Sequence, residues 1–95
     1  MKSNIIVSQH SGMQEFLKRR GITGISVKHV SKELVHGKTI YGMVPLYIAC
    51  EADKVVVPII YTPESLRGSD LNANQLESLC HGFETYHVTK TDSLE

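Results

Sequence analysis

Ninety-five residues make one small domain, which at this size buries roughly 60–65% of the surface that its unfolded chain exposes. Hydrophobic residues at 41% and charged residues at 21% exclude disordered and fibrous classes, and ten basic side chains balanced by ten acidic ones exclude a protein built to coat long DNA through bulk charge. No apolar run approaches the ~20 residues of a membrane span and the Met-Lys-Ser-Asn start lacks a signal-peptide pattern, so a cytoplasmic protein without membrane partners is expected.

Asn4–Ser8 carries Ile5, Ile6 and Val7 in a row, the pattern of a strand buried on both faces. A helix follows, marked by Met13, Phe16, Leu17 and Arg20, with Ser11 as N-cap and Gln14 completing a capping box. Gly21 suits the left-handed residue just past its end. Ile25–Val30 alternates as a second strand, and the polar stretch Ser31–Lys38 is expected as a surface loop. Thr39–Val44 reads as a third strand, after which Pro45 opens a short helix through Leu46, Ile48, Ala49 and Ala52. Val55–Tyr61 is the most apolar strand, but Pro58 within it demands an edge or a bulge.

The loop Thr62–Asp70 leads to the clearest helix, with Leu76, Leu79, Cys80 and Phe83 on one face, Asn72 and Gln75 as a capping box, and Leu71 stapled onto Leu76. Tyr86–Thr89 can add a last short strand, and 91–95 reads as a frayed tail on a single domain spanning 1–90. This order predicts an α/β fold, a mainly parallel sheet with helices on both faces. Its ligands bind where loops leave the carboxyl ends of strands. Ser8–Gly12, Gly42–Pro45 and Tyr61–Gly68 are those loops.

Ser8-Gln9-His10-Ser11-Gly12 places hydroxyls, an amide and an imidazole at a helix N-terminus, where free amides and the dipole attract anions. Ser11 and Gly12 also fit a plain helix cap, and His10 a solvated loop position. Arg67, in Ser-Leu-Arg-Gly, suits a forked phosphate contact, against the alternative of a surface arginine. Gly42 can admit a ligand close to the backbone and Pro45 can fix a helix start, or the two make a simple turn; Thr62 opens the third loop. Tyr41 and Tyr47 can stack on a base, although packing suits each better.

Cys50 and Cys80 lie on segments that read as helices, without CxxC spacing, and the five histidines have no HxxxH or HxH pair. Neither a metal nor another cofactor is expected.

Residues 6–17, Ile-Val-Ser-Gln-His-Ser-Gly-Met-Gln-Glu-Phe-Leu, resemble the opening of a small CRISPR-associated family, the Csx family numbered sixteen. Gly42-Met-Val-Pro-Leu-Tyr-Ile-Ala49 resembles that family's strand-to-helix turn, and Leu66-Arg-Gly-Ser-Asp-Leu71 its third motif. The match runs over about residues 4–88 with the motifs in order. The resemblance implies a Rossmann-like, CARF-like domain that recognises cyclic oligoadenylates in type III CRISPR signalling, with ring-nuclease activity on cyclic tetra-adenylate. Gln9 stands where the family usually has arginine, and Ser11 where it usually has proline.

A four-phosphate ring with rotational symmetry suits a two-fold homodimer holding it across the interface. Cleavage needs no metal, because the ribose 2′-hydroxyl is a nucleophile already present. His10 would act as acid, base or phosphate donor, Arg67 would bind phosphoryl oxygens, and Ser8, Ser11 and the Gly12 amide would position the backbone. A binder that sequesters the ring without cleaving it, and an interaction module without a nucleotide ligand, are the rival readings.

Overall fold

Three consecutive β-branched residues, Ile5, Ile6 and Val7, suit the first strand to an inner position of a five-stranded sheet. The computed structural model describes residues 4–8 and 10–92. Its strands are β1 (Asn4–Val7), β2 (Ile25–Val27), β3 (Thr39–Tyr41), β4 (Lys54–Ile60) and β5 (Cys80–Tyr86), in the spatial order β2-β1-β3-β4-β5. The first four run parallel, with Ile5 beside both Ile25 and Ile40, and Ile40 beside Val55. Only β5 is antiparallel, paired with β4. The helices are α1 (Ser11–Arg19), α2 (Lys32–Val35), α3 (Leu46–Ala49) and α4 (Ala73–Leu79).

Side chains alternate across a strand, so the sheet buries two cores. On one side Ile40 and Val55 pack with Val35 of α2 and Ile48 and Ala49 of α3. On the other, Ile6 packs with Phe16 and Leu17 of α1 and with Ala73 and Leu76 of α4. The Phe16 and Phe83 rings stack with centroids 6.1 Å apart, and the Arg20 guanidinium lies over both, 5.2 and 5.9 Å from their centroids. Arg20 Nε also donates to Glu77 Oε1 at 2.8 Å, which holds its guanidinium pKa above the ordinary arginine value. One side chain thus ties α1, α4 and β5 together.

Several local expectations change. The N-cap of α1 is His10, and Ser11 is already the first helical residue. The Gln14 side chain, expected to reach back to Ser11, instead donates to the Ser8 carbonyl at 3.1 Å. The stretch expected as a loop at 31–38 contains α2, because Ser31 caps it by accepting from the Leu34 amide and Val35 anchors it in the core. β2, β3 and α3 each stop short of their expected ends.

The final helix ends at Leu79; Cys80 and Phe83 belong to β5, which replaces the strand expected over Tyr86–Thr89. Cys80 is therefore not helical. The Asn72–Gln75 capping box is present in both directions, and Gly21 takes a positive φ of 78° after α1. Residues 93–95 of the expected tail lie outside the described residues.

Pro58 lies inside the sheet, between β3 and β5 in strand order, yet it violates no ladder. β3 ends at Tyr41, opposite Val56, and the Gly42 amide donates to the Val56 carbonyl. Residues two apart point their backbone groups the same way, so the absent N–H of Pro58 faces the space beyond the end of β3. The expected bulge is also there. Pro58 pairs with Phe83 but Ile60 with Cys80, so Ile59 faces both His81 and Gly82, with Gly82 at φ 121°.

Candidate functional site

The parallel strands β1, β3 and β4 end at one edge of the sheet, where the loops 8–12, 42–45 and 61–72 emerge together. Because β2 and β3 lie on opposite sides of β1, the connections diverge there and leave a crevice.

His10 occupies the middle of this edge. Its loop is held by Ser8, whose hydroxyl accepts from the His10 amide at 3.2 Å and donates to the His10 carbonyl at 3.3 Å, while Gln14 holds the Ser8 carbonyl. The imidazole Nδ1 sits 3.0 Å from Asp70 Oδ1. With His10 and Asp70 side chains 63% and 82% exposed, solvent screens the pair, so its value lies in orientation rather than stability. Asp70 fixes Nδ1 as the protonated nitrogen and leaves Nε2 for a ligand.

Three adjoining cavities share His10. An open groove of about 640 Å³ runs between the α1 N-terminus (Ser11, Gly12, Glu15) and the segment Asp70–Ala73. A second, of about 380 Å³, lies over the strand ends and is lined by Ser8, Lys28, Tyr41, Gly42, Met43 and Pro58 among others. The third, of about 250 Å³, reaches Thr62, Ser69 and Asp70. First-turn amides of α1 have no intrahelical acceptor, and those of Ser11 and Gly12 adjoin the first groove.

Gly12, in the first turn of α1, and Gly42 serve close approach of the chain to itself. A Cβ on Gly12 would lie 2.1 Å from the Leu71 carbonyl oxygen, so α1 rests directly on the backbone preceding α4. At Gly42, with φ 130°, a Cβ would lie 2.6 Å from the Val7 carbonyl oxygen. These contacts bring the three loops within reach of one another.

Ser8, His10, Ser11, Gly12, Gly42 and Thr62 are therefore gathered around one center. Arg67 and Pro45 line none of these three cavities. Arg67 follows a 3₁₀ turn over Glu64–Leu66 and is exposed, while Pro45 is the N-cap of α3. Gln9 lies outside the described residues. Tyr41 packs into the α1–α4 core, whereas Tyr47 is 64% exposed rather than packed.

Asp70 and Lys28 are the residues that sequence reasoning missed. Asp70 stood within the third motif, two residues before the helix cap Asn72, and Lys28 inside the strand expected over Ile25–Val30, which in fact ends at Val27; neither position carries a spacing signal of its own. Among the described residues no group of three or more His, Cys, Asp and Glu side chains is placed to hold a metal ion, and no helix is long and apolar enough to cross a membrane.

A sheet of this topology with its polar loops clustered at one end defines an α/β protein with a crevice site. Residues 5–89 match the family described as "Putative CRISPR-associated protein (Cas_VVA1548)", and the chain belongs to that family. No curated protein and no solved structure matches it.

Proposed function

We propose that this CRISPR-associated protein is a ring nuclease that binds cyclic tetra-adenylate and opens it without a metal, switching off type III CRISPR signalling. The observation that carries this reading is His10, oriented by Asp70 at 3.0 Å, at the meeting point of three cavities on the carboxyl edge of the sheet. The choice of ligand is supported by the likeness of the three loop motifs to the Csx family numbered sixteen, and membership of a CRISPR-associated family agrees with it.

The chemistry is an internal transesterification. The ribose 2′-oxygen attacks the adjacent phosphorus while the bond from phosphorus to the 5′-oxygen breaks. His10 takes the 2′-hydroxyl proton and returns it to the departing 5′-oxygen, leaving a 2′,3′-cyclic phosphate and a free 5′-hydroxyl. No water is consumed. Ser11 and the Gly12 amide position the ribose of the ring, and Ser8 holds the loop so that attack stays in line. Two copies around a two-fold axis present two such sites to the ring. Arg67, set apart from His10 within one copy, belongs to this reaction only from across that interface.

Labelled cyclic tetra-adenylate incubated with the protein in EDTA tests the reading. Linear products with cyclic phosphate ends, formed over many turnovers, are expected. Intact ring recovered from a tight complex would make the protein a sequestering binder, and cleavage abolished by EDTA would refute the metal-free route. No change in melting temperature with any cyclic oligoadenylate would leave it an interaction module.

A further inference from the structure

The cavities that meet at His10 differ in charge, and the difference assigns sides to the site. The widest groove carries the carboxylates of Glu15 and Asp70, and the smallest carries Asp70 again; neither is lined by a lysine or arginine. The cavity over the strand ends is lined by Lys28 and by no carboxylate. Sheet register explains this. Val27 pairs with Val7, so Lys28 leaves β2 level with Ser8, one strand from the His10 loop. An anion approaching His10 is repelled on the Asp70 side and drawn to the Lys28 side. Met13, Tyr41, Met43 and Pro58 line the same cavity and offer an apolar wall of a kind that accepts a planar base.

We infer that this cavity receives one adenosine nucleotide unit, its phosphate held by the Lys28 ammonium beside His10 and its base against the Tyr41–Pro58 wall. The inference rests on the oligoadenylate reading for the identity of the base. It makes Lys28, rather than Arg67, the phosphate cation within one subunit. Asp70 on the far side holds Nδ1 and leaves Nε2 to accept the proton of the 2′-hydroxyl beside that phosphate.

The test is titration of wild type, Lys28→Gln, Lys28→Arg and Lys54→Gln with adenosine 5′-monophosphate, adenosine and cyclic tetra-adenylate, with melting temperatures taken alongside. Lys54 begins β4 at the opposite end of the sheet and serves as the control. Wild type should prefer the monophosphate to adenosine. Lys28→Gln should lose that preference and bind the ring roughly tenfold or more weakly, as befits a charged hydrogen bond. Lys28→Arg should recover part of the loss, and Lys54→Gln should match wild type. Lys28 is exposed, so all four should melt alike.

Equal binding or cleavage of the ring by Lys28→Gln and wild type would overturn the inference while leaving the ring-nuclease reading intact. Lys28-dependent binding of the monophosphate by a protein that ignores the ring would keep the site and sink that reading. Failure of wild type to prefer the monophosphate over adenosine would overturn the inference outright.

Discussion

His10 Nδ1 and Asp70 Oδ1 stand 3.0 Å apart although sixty residues separate them in the chain, because the loop before α4 folds back over the start of α1. The carboxylate reaches only one imidazole nitrogen. The other is left for the proton transfer that we propose, with Asp70 orienting the ring and His10 alone exchanging the proton.

Replacing His10 by alanine should lower turnover of cyclic tetra-adenylate by about 100-fold or more, with a smaller change in affinity. Asp70→Ala should lower turnover on the order of tenfold, the worth of one charged hydrogen bond. Single-turnover rates and binding constants, measured separately, decide both. A wild-type rate in His10→Ala would remove the imidazole from the mechanism.

Gly12→Ala should destabilise the fold rather than merely disturb a ligand. Its Cβ would meet the Leu71 carbonyl oxygen at 2.1 Å and Asn72 Cα at 3.0 Å, both backbone, so α1 must move away from the α4 loop. Overpacking of this kind costs about 1–3 kcal/mol, or roughly 4–8 °C in Tm for each kcal/mol in a domain this size. Thermal unfolding followed by circular dichroism would show it. An unchanged Tm would mean that the two segments are not in contact.

Phe16→Ala should cost about 3–5 kcal/mol, because the ring is fully buried and lies at the center of the α1–α4 core. The stacked Phe16–Phe83 pair should show a coupling of about 0.5–1.5 kcal/mol in a double-mutant cycle by urea unfolding. Strictly additive losses would deny the stack any energy of its own.

Tyr86 donates from its hydroxyl to Glu84 Oε1 at 3.1 Å, and this bond to a carboxylate raises the phenol pKa. The folded state therefore favors the neutral phenol. Its contribution is fully present below the ordinary tyrosine pKa of about 10 and is lost as pH rises through the higher folded value. Ultraviolet titration should find Tyr86 ionising above the ordinary tyrosine value, and Glu84→Gln should bring it back toward that value.

Where local chemistry decides the conformation, the sequence was readable. The Asn72–Gln75 box, Gly21 after α1 and the apolar run of β1 need no tertiary information. Pro58 announced a bulge because a missing N–H has few places to go. The end of the last helix was misread for a physical reason: Leu76, Leu79, Cys80 and Phe83 keep helical spacing, yet a strand from Cys80 delivers Phe83 to the same core. α2 escaped notice because only Val35 of its four residues is buried. At the site, His10, Ser8 and the carboxyl-edge loops could be found from strand order alone. Asp70 and Lys28 could not, since each joins His10 through folding between distant segments.

β5 has consequences for how molecules meet. As the outermost strand beside β4 it offers seven residues of free backbone edge, long enough for a foreign strand to add on. The additional residue at Gly82 bends that edge out of register, and Glu84 sets a negative charge along it. The opposite border, β2, is only three residues long. Both margins thereby work against edge-to-edge pairing of one sheet with another.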